Sequence, residues 1–599
     1  MPKSQAAGLY VEPVIETNID ILMKLLQGKK SVSFSDIAKE LKWSISSIEK
    51  VGKALEAQGL LRLEYPSSFL QSPKAFFLKA LQQPSETFES KQLVDSYGFE
   101  VDFVPAKVFI FYSETEKRPE YNVQIPTLGV YTQVFLDSLK DNIAKRLPVE
   151  LAEITDIARN SELKQKFLAI VKQELLNYLS DFSDEALALL AGNLLHSMYG
   201  LGKIELLLAD PLLEEVAINS AKTPVTVYHR KHGWMKTNIQ LSTEEEVANY
   251  SSQVGRKVGR EINNLFPILD AHLVTGDRVN ATLFPISSFG NTITIRRFAR
   301  TPWTMVDLIG KSNALSTEIA AMLWQAVQFE MSILVAGGTA SGKTSMLNAL
   351  CSLIPSYHRI ISIEDVREIE LPDYLKWNWV PLTTRNPNPE GVGEVSMLDL
   401  MQSSLRMRPD RLILGEVRKQ REAEVLFEAL HTGHSVYSTL HADSSRQALR
   451  RLTEAPISIP PLEVEAIDLI AVQYRDRRTN VRKTFEISEL EAGSTEQQLE
   501  VNTVFKYSVR DDSWQQLNQA AKYLQQLNVH TGMTSKEVSQ DLALREEILD
   551  WMLVNGFGSI NNVGEVMREF YSNSSGLQDA VEKKISPQKH FGFESGKGG

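Results

Sequence analysis

Among its 599 residues the chain has a single cysteine, Cys351, so no disulfide can close within it and no cysteine-built zinc site can form. A lone thiol suits a reducing compartment. Positive charge is also in deficit: 64 lysines and arginines face 75 aspartates and glutamates, a formal net charge of -11. That balance supplies no whole-chain basic field to attract nucleic acid or an anionic membrane, although local patches remain open. Long apolar runs are missing too. No stretch reaches the roughly 18 uninterrupted apolar residues that span a bilayer, and the richest, Ala186 to Ala191, is broken by Gly192 and Asn193. Met1 to Gly8 carry one positive charge with no apolar segment behind it, unlike a secretory leader. None of the ten histidines forms a helix-spaced pair with a suitable carboxylate, so no metal cluster is expected. These absences predict a cytoplasmic protein, held at a membrane only through a partner.

What is present is ordinary globular material, 43% hydrophobic and 23% charged. At roughly 150 residues per domain the length predicts about four domains. Residues 1–75 order as a helix from Asn18, a helix at Asp36–Leu41, a turn through Lys42 and Trp43, a third helix capped by Ser44 and ending at Gly59, then apolar Leu60–Leu63. That is a winged helix-turn-helix pattern. Its third helix sets Lys50 and Lys53 against Glu49 and Glu56 with no arginine, which suits protein docking or packing better than reading DNA. Residues 76–200 are mixed, with a β-rich piece at Lys107–Tyr112 and then long amphipathic helices. Residues 201–300 carry short strands at Glu215–Asn219, Val225–His229, Trp234–Thr237 and Thr292–Arg296, which predict an α+β domain with an antiparallel sheet. A linker beginning Thr301-Pro-Trp-Thr leads to residues 301–510.

There the apolar run Met331–Ala336 suits a buried parallel strand and enters Gly337-Gly338-Thr339-Ala340-Ser341-Gly342-Lys343-Thr344, followed by helical Ser345–Ile354. Strand, glycine loop of the form G-x-x-x-x-G-K-[ST] and helix are the context a P-loop requires. In it the backbone amides cradle the β-phosphate of ATP, Lys343 neutralises β- and γ-oxygens, and the Thr344 hydroxyl ligates Mg²⁺. Apolar Arg359–Ile363 ends in Glu364 and Asp365, with Glu368 and Glu370 behind, and Arg411–Gly415 ends in Glu416. Parallel strands end along one edge, so these acids are expected to converge on Mg²⁺ and the attacking water, with Glu370 open to a plain surface role. The strand Ser435–Leu440 ends in His441, which can sense the γ-phosphate or simply pack.

Four motifs in this order, the P-loop, the Ser362–Asp365 acidic box, the Leu412–Arg418 Walker B segment and the histidine box from Thr432 to His441, resemble the secretion ATPases of type II secretion and type IV filament systems. Val227–Trp234, Asp270–Leu273, Gly276–Asn280 and Ile293–Phe298 extend the likeness, the first of them toward the archaeal branch. The resemblance covers about Gly200 to Tyr507. It implies an α/β fold in which a RecA-like P-loop motor domain (301–510) follows an α+β N-domain (201–300), with the winged-helix-like head ahead of both; the helical C-terminal extension over 511–599 resembles the tails of archaeal members, and a disordered tail is expected from Gly592. By the same resemblance Glu364 activates the attacking water, Glu416 is the acid on the Mg²⁺ side, and His441 is the sensor. Arg278, Arg296 and Arg297 match the family's N-domain arginines, which act across domains or subunits. The implied partners are five further copies in a homohexamer, a polytopic inner-membrane platform protein and, indirectly, pilin-like subunits. Zinc is not expected, because the four-cysteine module of many bacterial members cannot be made, and nucleic acid is not expected, because the chain is acidic and lacks strips of interleaved aromatic and basic residues. The expected activity is ATP-driven assembly of a pilus- or archaellum-like filament, or type II-like secretion. The rival reading is a conjugation-type or helicase-like nucleic-acid motor that reads DNA with its winged helix.

Overall fold

In the computed structural model the first helix, α1 (Asn18–Lys29), begins where Thr17 and Asp20 form a reciprocal capping box. The structure describes residues 14–66, 71–81, 92–146, 157–178, 183–198, 201–273, 276–297, 302–387, 391–493 and 498–592, in two compact units divided between Phe298 and Ala299. Thr301 of the expected linker and residues 593–599 of the expected disordered tail lie outside the described residues.

In the first unit Ser33 caps α2 (Phe34–Leu41) and Ser44 caps α3 (Ile45–Ala57), each hydroxyl accepting an N–H three residues on. Strands β1 (Ser31–Ser33), β2 (Leu61–Glu64) and β3 (Lys74–Phe77) form a small antiparallel sheet in the order β1-β3-β2. The apolar face of α3 shares one core with α4 (Val130–Arg146), α5 (Ile157–Tyr178) and α6 (Asp184–Met198), where Ile48, Val51 and Leu55 meet Phe135, Phe167 and Leu190. Lys50 Nζ donates to the Asn177 carbonyl at 2.7 Å, and Lys53 pairs with Glu49 at 2.7 Å. The two cations a DNA-reading helix would extend are therefore bound within the chain.

A nine-stranded sheet follows, from β4 (Gln92–Val101), β5 (Val104–Ser113), β6 (Arg118–Gln124), β7 (Leu213–Ile218), β8 (Thr226–His229), β9 (Gly233–Thr237), β10 (Ile268–His272), β11 (Arg278–Thr282) and β12 (Thr292–Arg296). Its order is β10-β11-β12-β7-β8-β9-β6-β5-β4. Helix α7 (Glu244–Lys257) buries Val247 and Val254 in its core. This corrects two expectations. A boundary at residue 200 would cut the sheet, because β6 covers the edge of β9 that would otherwise stand open. That junction, Lys236 opposite Glu120 and Thr237 opposite Tyr121, is parallel, so the sheet is not wholly antiparallel. Buried Asp210 ties the two halves, accepting the hydroxyls of Tyr97 at 2.6 Å and Tyr121 at 2.7 Å.

The second unit is built on β13 (Ile333–Gly337), β14 (Ile360–Glu364), β15 (Trp379–Thr383), β16 (Arg411–Leu414), β17 (Ser435–Leu440), β18 (Leu469–Arg475), β19 (Arg482–Ala492), β20 (Leu499–Ser508) and β21 (Ser513–Gln516). The order is β15-β14-β16-β17-β13-β18-β19-β20-β21. From β15 to β18 the pairing is parallel, and from β18 onward it is an antiparallel meander. One face packs on α8 (Thr317–Gln328) and α9 (Lys343–Cys351), the other on α10 (Met397–Ser404), α11 (Gln420–His431) and α12 (Ser445–Thr453).

The C-terminal helices α13 (Ala521–Thr531), α14 (Ser535–Val554) and α15 (Ile560–Glu582) are no appendage. Leu527, Ile548, Met552 and Met567 belong to the core that holds Trp324, Leu347 and Leu350. Arg545 is fully buried between the rings of Trp324 and Phe570, each at 4.8 Å, with Nε on Asp541 at 2.6 Å. A motor boundary at residue 510 is thus moved: β21 and the three helices complete the same unit. Among the described residues no helix is long and apolar enough to cross a membrane.

Candidate functional site

Strand β13 is buried along its whole length and paired on both sides, so the glycine loop starts from a rigid edge. Gly337 has φ +156, and a Cβ there would lie 2.4 Å from Ser341 Oγ and 2.6 Å from the Gln473 carbonyl oxygen, which only glycine avoids. A Cβ on Gly338 would meet Asp443 Oδ1 at 2.8 Å. Ala340 takes φ +57, its carbonyl held by Arg482 Nε at 3.0 Å, while Thr339 is exposed and Ser341 Oγ donates to the Gly338 carbonyl at 2.9 Å. Gly342, at φ +97, is the N-cap of α9 and offers no side-chain acceptor, whereas Ser316 caps α8. The first amides of α9 are therefore left for an anion at the positive end of the helix. Lys343 Nζ donates to the carbonyls of Gly337 at 3.1 Å and Gly338 at 2.9 Å, and Thr344 stands half-buried in the first turn.

The parallel register brings the strand ends together. Gly415 N donates to the Ile363 carbonyl at 2.9 Å, setting Glu416 beside Glu364 at the sheet edge. His441, leaving β17, stands 3.4 Å from Lys343 Nζ through Nδ1 and 3.4 Å from Glu416 Oε1 through Nε2. Burial first, and then the Lys343 ammonium, hold its imidazole below the ordinary histidine range. Glu416 Oε2 accepts from Arg418 Nε at 3.1 Å and Nη2 at 2.8 Å, and Arg418 Nη1 reaches Asp365 Oδ2 at 2.7 Å. A polar chain thus runs from Lys343 through His441 to Glu416, Arg418 and Asp365, the last three alternating in charge, beside a cleft of about 500 Å³ that Asp365, Arg385, Glu416 and Arg418 help to line.

Glu364 is set apart by burial, only 3% exposed. Its Oε1 accepts the amides of Glu368 at 2.8 Å and Ile369 at 3.0 Å, while its Oε2 is buried with no partner among the described residues. Burial pushes the carboxyl up to about 7 against the pull of those two amides. A carboxyl poised there, with one lone-pair oxygen unengaged, can take a proton near neutral pH. Glu370 is bound by Lys376 at 2.7 Å and Arg367 at 3.4 Å, the plain surface role left open for it. Cys351 is fully buried, which pushes its thiol up and leaves it inert.

The residues expected to act together, Lys343, Thr344, Glu364, Glu416 and His441, therefore share one sheet edge. The arginines lie in the first unit. Arg278 on β11 is paired with Asp270 at 2.9 Å and lies opposite Arg296 in the ladder. Arg296 lies opposite Glu215 on its other side. Arg297 Nη1 donates to the carbonyls of Leu213, at 3.0 Å, and Asp210, so its guanidinium holds its own unit's backbone. Asp365, expected among the converging acids, is in the site, whereas sequence reasoning gave no role to Arg418, Arg482 or Asn348. Arg418 leaves the same strand two residues after Glu416, and Asn348 interrupts the apolar face of α9, so both carried a local signal.

A buried parallel strand, a glycine loop at a bare helix N-terminus and acids on neighbouring strand ends define the P-loop class of α/β proteins. The chain belongs within that class to the type II/IV secretion system protein family, whose description matches residues 268–502. It is similar to an uncharacterized protein of Methanocaldococcus jannaschii, 32% identical over 417 residues that cover 68% of this chain and 70% of that one. The type IV secretion system protein PtlH of Bordetella pertussis is 35% identical over 247 residues, covering 38% of this chain and 72% of its own. The VirB11 ATPase of the Brucella suis type IV secretion system, solved with sulphate, shares 26% identity, covers 48% of this chain and 92% of its own, and gives a TM-score of 0.24.

Proposed function

We propose that the protein is an ATPase motor of its family, acting as a homohexamer that couples ATP hydrolysis to assembly of a type IV pilus-like or archaellum-like filament, or to type II-like secretion, through a polytopic membrane platform protein. The observation that carries the hydrolytic reading is the pairing of a bare α9 N-terminus with the buried Glu364 carboxyl, whose Oε2 has no partner among the described residues. Residues 337–344 bind the phosphates, with Lys343 swinging from its loop carbonyls onto β- and γ-oxygens. Glu364 orients the attacking water and takes its proton on Oε2. Glu416, steered by Arg418, and His441, bonded between Lys343 and Glu416, register the γ-phosphate and pass its loss to the β16 and β17 exits. The Thr344 hydroxyl and the Glu416 carboxylate are hard oxygen donors of the kind Mg²⁺ takes, and would hold an ion that neutralises phosphate charge. Arg278 and Arg296 supply cross-domain or trans positive charge.

The winged-helix-like head serves protein docking, and the protein works at the cytoplasmic face of the membrane through its partner. The name PtlH places a relative in type IV secretion, and VirB11 is titled an ATPase, which supports the family activity for this chain. Steady-state ATPase of the purified chain tests the reading. Lys343→Ala should lower turnover at least ~100-fold, and DNA should not stimulate the parent. Turnover of Lys343→Ala at the parent rate would overturn the site.

A further inference from the structure

We infer that Asn348 is a positioning residue for Glu364, acting through the backbone strap formed by Glu368, Ile369 and Glu370. The inference rests on the proposed role of Glu364 and deepens it. Asn348 is 3% exposed on the second turn of α9, among Met346, Leu347, Ala349, Leu350 and Cys351, all fully buried. A carboxamide in such a face costs stability unless it is bonded, and an apolar side chain such as leucine, branched at the same atom, would serve packing better. The Asn348 Nδ2 is indeed buried without a partner among the described residues, so packing does not account for the residue. Its Oδ1 does: it accepts the Glu370 amide at 2.9 Å. The two preceding amides, of Glu368 and Ile369, go to Glu364 Oε1 at 2.8 and 3.0 Å.

Three successive N–H groups are thus divided between the phosphate-loop helix and the carboxylate. Ile369 and Leu371, both fully buried, hold the strap to the core. With Oε1 pinned by two bonds the plane of the carboxylate is set, and Oε2 is the oxygen left for water. Because Asn348 lies five residues after Lys343 on the same short helix, the phosphate cradle and the base are registered to each other through one hydrogen bond. Catalysis is sensitive to such registration, since displacement of a reacting group by about 1 Å costs roughly 10²-fold.

The test is steady-state ATPase of the full chain with binding of a fluorescent ATP analogue alongside. Asn348→Leu, which removes the acceptor and keeps the branched shape, should lower kcat about 10- to 100-fold while KM and analogue Kd stay within about threefold. Asn348→Asp, which keeps an acceptor, should retain most of the parent kcat. In a Glu364→Gln background Asn348→Leu should add no further loss, because it acts only through the carboxylate. An unchanged kcat in Asn348→Leu, or a loss that adds to that of Glu364→Gln, would overturn the inference. If the leucine variant does not fold, Asn348→Ala in both backgrounds reads the same two outcomes. Parent-like turnover by Glu364→Gln alone would instead sink the role of Glu364, whatever Asn348 does.

Discussion

At the amino end of the parallel sheet, Arg411 opens β16 with no exposure and makes four hydrogen bonds. Nε donates to His358 Nδ1 at 3.1 Å, Nη1 to Ser435 Oγ and Tyr437 Oη at 2.8 Å each, and Nη2 to the Val327 carbonyl at 2.7 Å. Beside it half-buried Asp468 accepts the Ser332 amide at 2.7 Å, and Ser332 Oγ accepts the Val436 amide at 3.0 Å. At the carboxyl end the same strands deliver Glu364 with an unpartnered oxygen, α9 with an uncapped start, and a charge chain in which His441 and Glu416 stand at 3.4 Å. One edge has its polar groups matched and dry. The other leaves Glu364 Oε2 and the first amides of α9 unengaged, where a water and a phosphate can enter. The difference teaches which edge bears stability and which bears chemistry, and substitutions at each should separate the two.

The largest effect belongs to Glu364→Gln, which removes the base and keeps the shape. Turnover should fall about 10²- to 10⁴-fold. Stability should move the other way. Burial raises the Glu364 carboxyl from its ordinary 4.5 to about 7, so the folded protein binds the proton more tightly than the unfolded chain. Its contribution to stability is present below 4.5 and is lost as the pH rises through 7, where the folded state must carry a buried charge. At pH about 8 the loss approaches roughly 3 kcal/mol. Denaturant midpoints measured from pH 5 to 8 should fall for the parent and stay flatter for Glu364→Gln. Parallel curves would show that the carboxyl is not held neutral by its surroundings.

Arg411→Met should do the reverse. It leaves two hydroxyls, a carbonyl and an imidazole nitrogen in a dry edge without their donor, a cost of about 3 kcal/mol. Nucleotide-analogue affinity of the fraction that folds should be unchanged, since the phosphate loop lies at the opposite edge. A denaturation loss below about 1 kcal/mol would show that this edge does not depend on its arginine.

The contrast explains what was legible in the sequence. The phosphate loop was readable because strand, loop and helix are contiguous, and Glu364, Glu416 and His441 because each stands where an apolar strand stops. Arg411 was read only as the first residue of a strand. Its partners Val327, His358 and Ser435 lie 84, 53 and 24 residues away, and no local pattern announces them. The same limit hid the joining of β6 to β9, between Tyr121 and Thr237, and drew a false boundary at residue 200. The C-terminal helices were recognised as helices, yet their buried face could be assigned only once α8 and α9 were seen to offer it a core.

The smallest effect tests how far the matched edge extends. Arg411 can only donate, so His358 must accept at Nδ1, and its proton sits on Nε2, 3.1 Å from Glu330 Oε1. The buried guanidinium is thereby relayed to a carboxylate whose side chain is 49% exposed. That hydrogen bond from His358 holds the Glu330 carboxyl below its ordinary 4.5. Its stabilisation is therefore present above 4.5 and lost as the pH falls through the lowered value. Glu330→Gln keeps the acceptor and removes only the charge, so at pH about 7 it should cost near 0.5 kcal/mol, as expected for a solvent-screened pair. The cost should vanish in acid, and kcat should not change. A larger loss at neutral pH, or one that persists in acid, would mean that the network ends in a desolvated ion pair rather than at the surface.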